Sequence, residues 1–180
     1  MNLFLLLLTL GGDPAACPMH AQHMAAPQNA QPAEHAHGAG AHAADAHGVD
    51  QRGDAVMGFS HQTTKHSFRL TKNGGAIEVR VNDAADAAGI AQIRAHLQVI
   101  AKEFSAGVFT KPEAIHARVP DGVVTMKELG AGITYRYEEL ERGGRVVVRT
   151  DDARGIDAVH QFLRFQISDH RTGDSAEVEN

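Results

Sequence analysis

Twice in this chain an alternating hydrophobic run is split by a Gly-Gly pair and followed by a helical stripe. In the first copy Phe68 and Leu70 alternate with polar residues before Asn73-Gly74-Gly75, and Ile77, Val79 and Val81 alternate after it. In the second, Ile133, Tyr135 and Tyr137 precede Arg142-Gly143-Gly144, with Val146 and Val148 behind. Period-two alternation around a glycine turn predicts a β-hairpin. Each hairpin leads into a helix. Ile90, Ile93, Leu97, Ile100 and Phe104 follow Asp86 at helical spacing, with Gly107 to end the helix. Ile156, Val159, Leu163 and Ile167 follow Asp151-Asp152, with Gly173 beyond His170. An offset of 69 carries Gly74-Gly75 onto Gly143-Gly144, and one of 66 carries Gly89-Ile90 onto Gly155-Ile156. Two ββα units separated by a single three-residue slip constrain the fold strongly. They predict an α+β domain over residues 56–176, a four-stranded antiparallel sheet with two helices on one face, and a short tail at 177–180. The connector between the copies carries at most a short helical turn.

The rest of the chain is of another kind. All 17 Lys and Arg lie at or after Arg52, whereas Asp13, Glu34, Asp45 and Asp50 are the only acids before it. The formal net charge of -5, with no basic stripe, argues against a nucleic-acid partner. The single cysteine closes no internal disulfide and makes no four-thiolate zinc site. The apolar run Leu3 to Leu10 is far short of the ~20 residues that span a bilayer, so no membrane span is expected.

Residues 1–16 read as a signal-like leader, an apolar centre followed by small residues. No Lys or Arg precedes that centre and no A-x-A site closes it. Export to the periplasm or cell envelope is the expectation, and a mis-assigned start codon ahead of a cytosolic protein is the alternative. Cys17 after Pro14-Ala15-Ala16 would be the acylated residue of a lipoprotein, although Leu usually stands where Pro14 does.

Residues 17–55 are built of Ala, His, Gly, Pro and Gln and hold six of the 12 histidines. So little large apolar surface does not offset the entropy of ordering, which predicts disorder. Within eight residues Cys17, Met19, His20, His23 and Met24 bring one thiol, two thioethers and two imidazoles. Sulfur donors select Cu(I), and imidazole suits copper, zinc and nickel, so the segment is a candidate ligand set for copper or zinc. An inert spacer, or one that gains charge as its imidazoles titrate near pH ~6.5, are the competing readings.

Inside the folded part, strand parity puts His66 on the same side as Phe68. His96 lies between Ile93 and Ile100, and His160 lies between Ile156 and Leu163, both within apolar stripes. These three imidazoles are candidates to converge on a metal, a haem iron or a small ligand, with His170 or His116 at the rim. The competing reading leaves each as a semi-buried histidine bonded to a backbone carbonyl or a carboxylate. His61, in the loop SHQTTK, reads as a surface residue. The string Asp169 to Asp174 gathers acid, imidazole and guanidinium, but at a helix C-terminus, where the dipole favours cations. No nucleophile elbow, phosphate loop or paired-carboxylate motif is present.

Two resemblances add to this reading. Cys17-Pro18-Met19-His20 resembles the CPMH core of short heavy-metal-binding segments in copper-exporting ATPases and their periplasmic partners, without the aromatic before it or the proline after. That likeness implies a copper ligand set and an envelope metal-transport partner. From Met57 onward MGFS, NGGAIEVRVND, ERGGRV and HQFLRFQISDHRTGD resemble a family of exported bacterial proteins whose members are often labelled aspartate carbamoyltransferase. The likeness spans about two-thirds of the chain and implies a stable exported domain. Carbamoyl transfer in its known form uses S-x-R-T at a helix N-terminus and two α/β domains. His170-Arg171-Thr172 supplies part of that string at the opposite end of a helix.

The leading expectation is an exported, non-enzymatic protein that buffers or transfers copper or a similar ion through its N-terminal arm. The alternative is a ligand-binding or enzymatic domain centred on His66, His96 and His160, and the carbamoyltransferase label is a third.

Overall fold

A computed structural model describes residues 39–179, with side chains from Gly48 onward. The leader and the arm residues Cys17, Met19, His20, His23 and Met24 lie outside the described residues. The chain runs α1 (Ala39–Met57), β1 (Thr64–Thr71), β2 (Gly74–Val81), α2 (Ala87–Ser105), α3 (Thr110–His116) and α4 (Val123–Leu129). It continues through a short 3-10 turn into β3 (Thr134–Leu140), β4 (Gly143–Arg149), α5 (Ala153–Asp169) and β5 (Val178–Glu179). The class is α+β, with the two ββα units in place.

The sheet has the order β3-β4-β2-β1-β5. Both hairpins are antiparallel, and they meet through their second strands. There Gly74 pairs with Arg149 and Gly143 pairs with Arg80, one pair repeated under the offset of 69. The join is therefore a local two-fold axis. A fifth strand departs from the sequence expectation, since the stretch read as a tail pairs parallel to β1, Leu70 facing Val178.

The glycines also differ from expectation. The turns are Lys72-Asn73 and Glu141-Arg142, and each Gly-Gly pair opens a strand instead. The reason is the close antiparallel pairing of β2 with β4. A Cβ on Gly74 would lie 2.1 Å from the Val148 carbonyl oxygen, and one on Gly143 would lie 2.1 Å from that of Val79. Only a residue without a side chain lets the two backbones come this close.

Each helix covers the other repeat's hairpin: α2 lies mainly against β3 and β4, and α5 against β1 and β2. Ile93, Leu97, Ile100 and Phe104 of α2 join Val159, Phe162 and Leu163 of α5 over Phe68, Leu70, Val79, Val81, Val146 and Val148. Asp86 and Asp152 cap the two helices, their carboxylates accepting from Gly89 N and from Arg154 N and Gly155 N. The connector holds two short helices, α3 and α4, where the sequence suggested one turn.

The described residues open with the helix α1 from Ala39, inside the segment expected to be disordered. Counting large apolar side chains undervalued this stretch. Alanine is the best helix former, and a few contacts anchor the helix to α3. Val49 is buried, Met57 packs at the edge of the core, and Arg52 Nε donates to the Ile115 carbonyl at 2.6 Å. No helix among the described residues is long and apolar enough to cross a membrane.

Candidate functional site

Four elements deliver one imidazole each to a single cavity: His66 from β1, His96 from α2, His116 at the end of α3 and His170 just past α5. The cavity measures about 60 Å³, and its walls are largely apolar, including Met57, Phe68, Leu97, Ile100 and Phe162. Among the described residues no aspartate or glutamate lines it. Space of this size admits a few water molecules or an ion. It is far below the ~300–1,000 Å³ of pockets that hold drug-sized ligands. The haem suggested by the sequence therefore does not fit.

His66 is placed by strand parity, as expected, beside Phe68 with ring centroids 6.4 Å apart. His96 turns its ring edge-on to Phe59 at 5.5 Å. His170 lies nearly parallel to His66, with centroids 5.6 Å apart and planes 7° apart. It meets His116 edge-on at 5.0 Å. The sequence put His170 and His116 at the rim of the cluster, whereas both are full members.

His160 is elsewhere. It is buried on α5 and its Nε2 donates to the Thr71 carbonyl at 2.9 Å, at the end of β1. It does not line the cavity. Of the three imidazoles predicted to converge, the structure brings together His66 and His96 only.

Electrostatics separates the four rings into two kinds. His116 is tied at both nitrogens, Nδ1 to the Asp169 carboxylate and Nε2 to Gln166 Oε1 at 3.0 Å. His66, His96 and His170 make no side-chain hydrogen bond among the described residues. Burial, reinforced by neighbouring His96, pushes His66 down to about 4. Burial and nearby Lys111 push His96 to about 4. Burial, with His66 and His116 alongside, pushes His170 to about 3. Desolvation penalises the charged form of a base, so all three are neutral at physiological pH. His170 is therefore not the cation that its place at a helix C-terminus suggested. Gln166 is also buried, and its Nε2 has no hydrogen-bond partner among the described residues.

The remaining residues of Asp169 to Asp174 are structural. Asp169 holds His116. Asp174 accepts from Phe68 N at 2.8 Å and from Thr172 Oγ1 at 2.7 Å, which fastens the chain end to β1. Arg171 Nη2 lies 3.5 Å from Asp50 Oδ2.

His66 and His170 also form the wall between this cavity and a second, polar opening of about 370 Å³, lined by Asp50, His61, Thr64, Lys65, Arg171 and Thr172. Sequence reasoning read His61 only as a surface residue and passed over Asp50 and Asp54 as partners for it. The available signal was the i,i+4 spacing of the two aspartates, which places both carboxylates on one helix face. Among the described residues no group of three or more His, Cys, Asp or Glu side chains is arranged to hold a metal ion. Comparison with protein-family models, with curated proteins and with solved structures returned no match to this chain.

Proposed function

We propose that this is an exported protein that binds copper or a similar soft or borderline ion for buffering or transfer. In this reading Cys17, Met19, His20, His23 and Met24 take up the ion, and the cavity between sheet and helices houses it. The observation that carries the reading is the pair His66 and His170, two adjacent neutral imidazoles on an apolar wall shared with the Met57 thioether. Neutral imidazole is the form that ligates. Nitrogen and thioether donors without carboxylates suit Cu(I) rather than magnesium or calcium. A cavity of about 60 Å³ suits an ion better than an organic substrate. His96 stands ready as a third imidazole, while His116 is held back by Asp169 and Gln166.

Anaerobic titration of the full chain with Cu(I) against a chromogenic chelator tests this. Replacing Cys17, Met19, His20, His23 and Met24 together by Ala should remove the arm's equivalents and leave one. Adding His66→Phe and His170→Phe should remove that one. A full chain that binds Cu(I) no tighter than millimolar overturns the proposal. An arm-substituted protein that binds none confines the function to the arm. Envelope export is checked by fractionating native cells and reading the N-terminal residue of the purified protein.

A further inference from the structure

We propose that the polar opening beside the cavity is a separate site for a borderline divalent cation, with His61 Nε2 and an Asp50 carboxylate oxygen as its protein ligands. Asp54 lies in the last turn of α1, where the helix dipole disfavours negative charge, and Asp50 lies one turn before it. Asp54 is compensated twice by His61. It accepts the His61 backbone N–H at 2.7 Å, and the ring Nδ1 lies 3.0 Å from both carboxylate oxygens.

In the neutral ring that contact puts the proton on Nδ1 and leaves the Nε2 lone pair outward. A carboxylate behind an imidazole is the arrangement that orients and strengthens a metal-ligating histidine. Nε2 then faces Asp50 Oδ2 at 3.9 Å, beyond hydrogen-bond range. Two electron-rich atoms confront each other across a gap that a cation would fill. Two donors each ~2.1 Å from a tetrahedral ion stand roughly 3.4 Å apart, so a closure of about half an ångström suffices.

The opening is roomy enough, at about 370 Å³, for the ion's remaining water ligands. One imidazole and one carboxylate suit zinc(II) or copper(II), unlike the nitrogen and thioether donors of the inner cavity. Arg171 is the built-in competitor. Its guanidinium reaches Asp50 at 3.5 Å from a residue with left-handed φ of 51°, and an arriving cation displaces it.

The site stands independently of copper in the cavity, and its test separates the two. Zinc chloride is added to the full-length, metal-free protein with its histidine rings labelled with nitrogen-15, and each ring is followed by proton–nitrogen correlation. The arm's own histidines give separate signals. Zinc should shift the His61 Nε2 resonance to the ligated range, with the His66 and His170 resonances unmoved. Asp50→Asn should weaken zinc at His61 tenfold or more. Arg171→Gly, which removes the competitor and suits the left-handed backbone, should tighten it severalfold. His61 signals that respond to pH but not to saturating zinc overturn the proposal, as does an Asp50→Asn protein that binds zinc at His61 as tightly as the parent.

Discussion

Gly74 and Gly143 show what a single residue decides in this molecule. Each opens the inner strand of its hairpin, at opposite ends of the ladder that joins the two inner strands, and each would drive a Cβ to 2.1 Å from the opposite carbonyl oxygen. Gly74→Ala and Gly143→Ala should each cost about 3 kcal/mol or more, from overpacking together with a disfavoured φ. Urea unfolding measures both. Similar losses at the two positions would reflect the two-fold register, and a neutral Gly74→Ala would refute the close approach of the two strands. The histidines teach a different lesson at this scale. Helical spacing identified His96 and His160 alike as stripe residues, but the fate of each ring depends on what lies across from it. His96 meets the cavity, whereas His160 meets the Thr71 carbonyl at a strand end. His170 stands three positions after Ile167, in phase with the stripe of α5, but as the residue after the helix it was legible only as a rim position.

At the scale of elements, the repeats are interleaved. Because α2 covers the second hairpin and α5 the first, neither ββα unit buries its own sheet face. Fragments 37–117 and 118–180, separated within an exposed stretch, should each lack a cooperative thermal transition, and mixing them should restore one. Circular dichroism melts check this, and a cooperative melt from either fragment alone would show a self-sufficient unit. The helix α1 is the counterpart case. Its alanines favour a helix but do not mark it as part of a folded domain, and it is held by the burial of Val49 and by Arg52 meeting α3. The same helix brings Asp50 and Asp54 to His61, so the outer cation site is a by-product of an element that the sequence did not announce.

Over the whole molecule the buried imidazoles tie stability to pH. His66, His96 and His170 have native values near 4, 4 and 3, against ~6.5 in an unfolded chain. Below pH ~6.5 the unfolded state takes up protons that the native state refuses. Stability is therefore full above that pH and falls as pH drops towards the native values. The slope grows by about 1.4 kcal/mol per pH unit for each proton withheld. Urea unfolding of the metal-free protein between pH 7 and 4.5 should show a steep loss on acidification, and His170→Phe should flatten it. An unchanged slope in that variant would mean that His170 titrates alike in both states.

The repeat, the strand alternation and the helix N-caps were legible in the residues themselves, because each rests on neighbours within a few positions. Spacing of two or 3.6 decides which side chains share a face whatever the rest of the chain does. That was enough to establish an α+β domain of two ββα units and to put His66 and His96 towards the interior. Which rings share a cavity, which glycines separate strands, and whether an alanine-rich stretch forms a helix depended on partners 50 or more positions away, such as Asp169 for His116 and Ile115 for Arg52. Those pairings exist only once the chain has closed, since desolvation and contact act on distance in space and not on separation along the sequence.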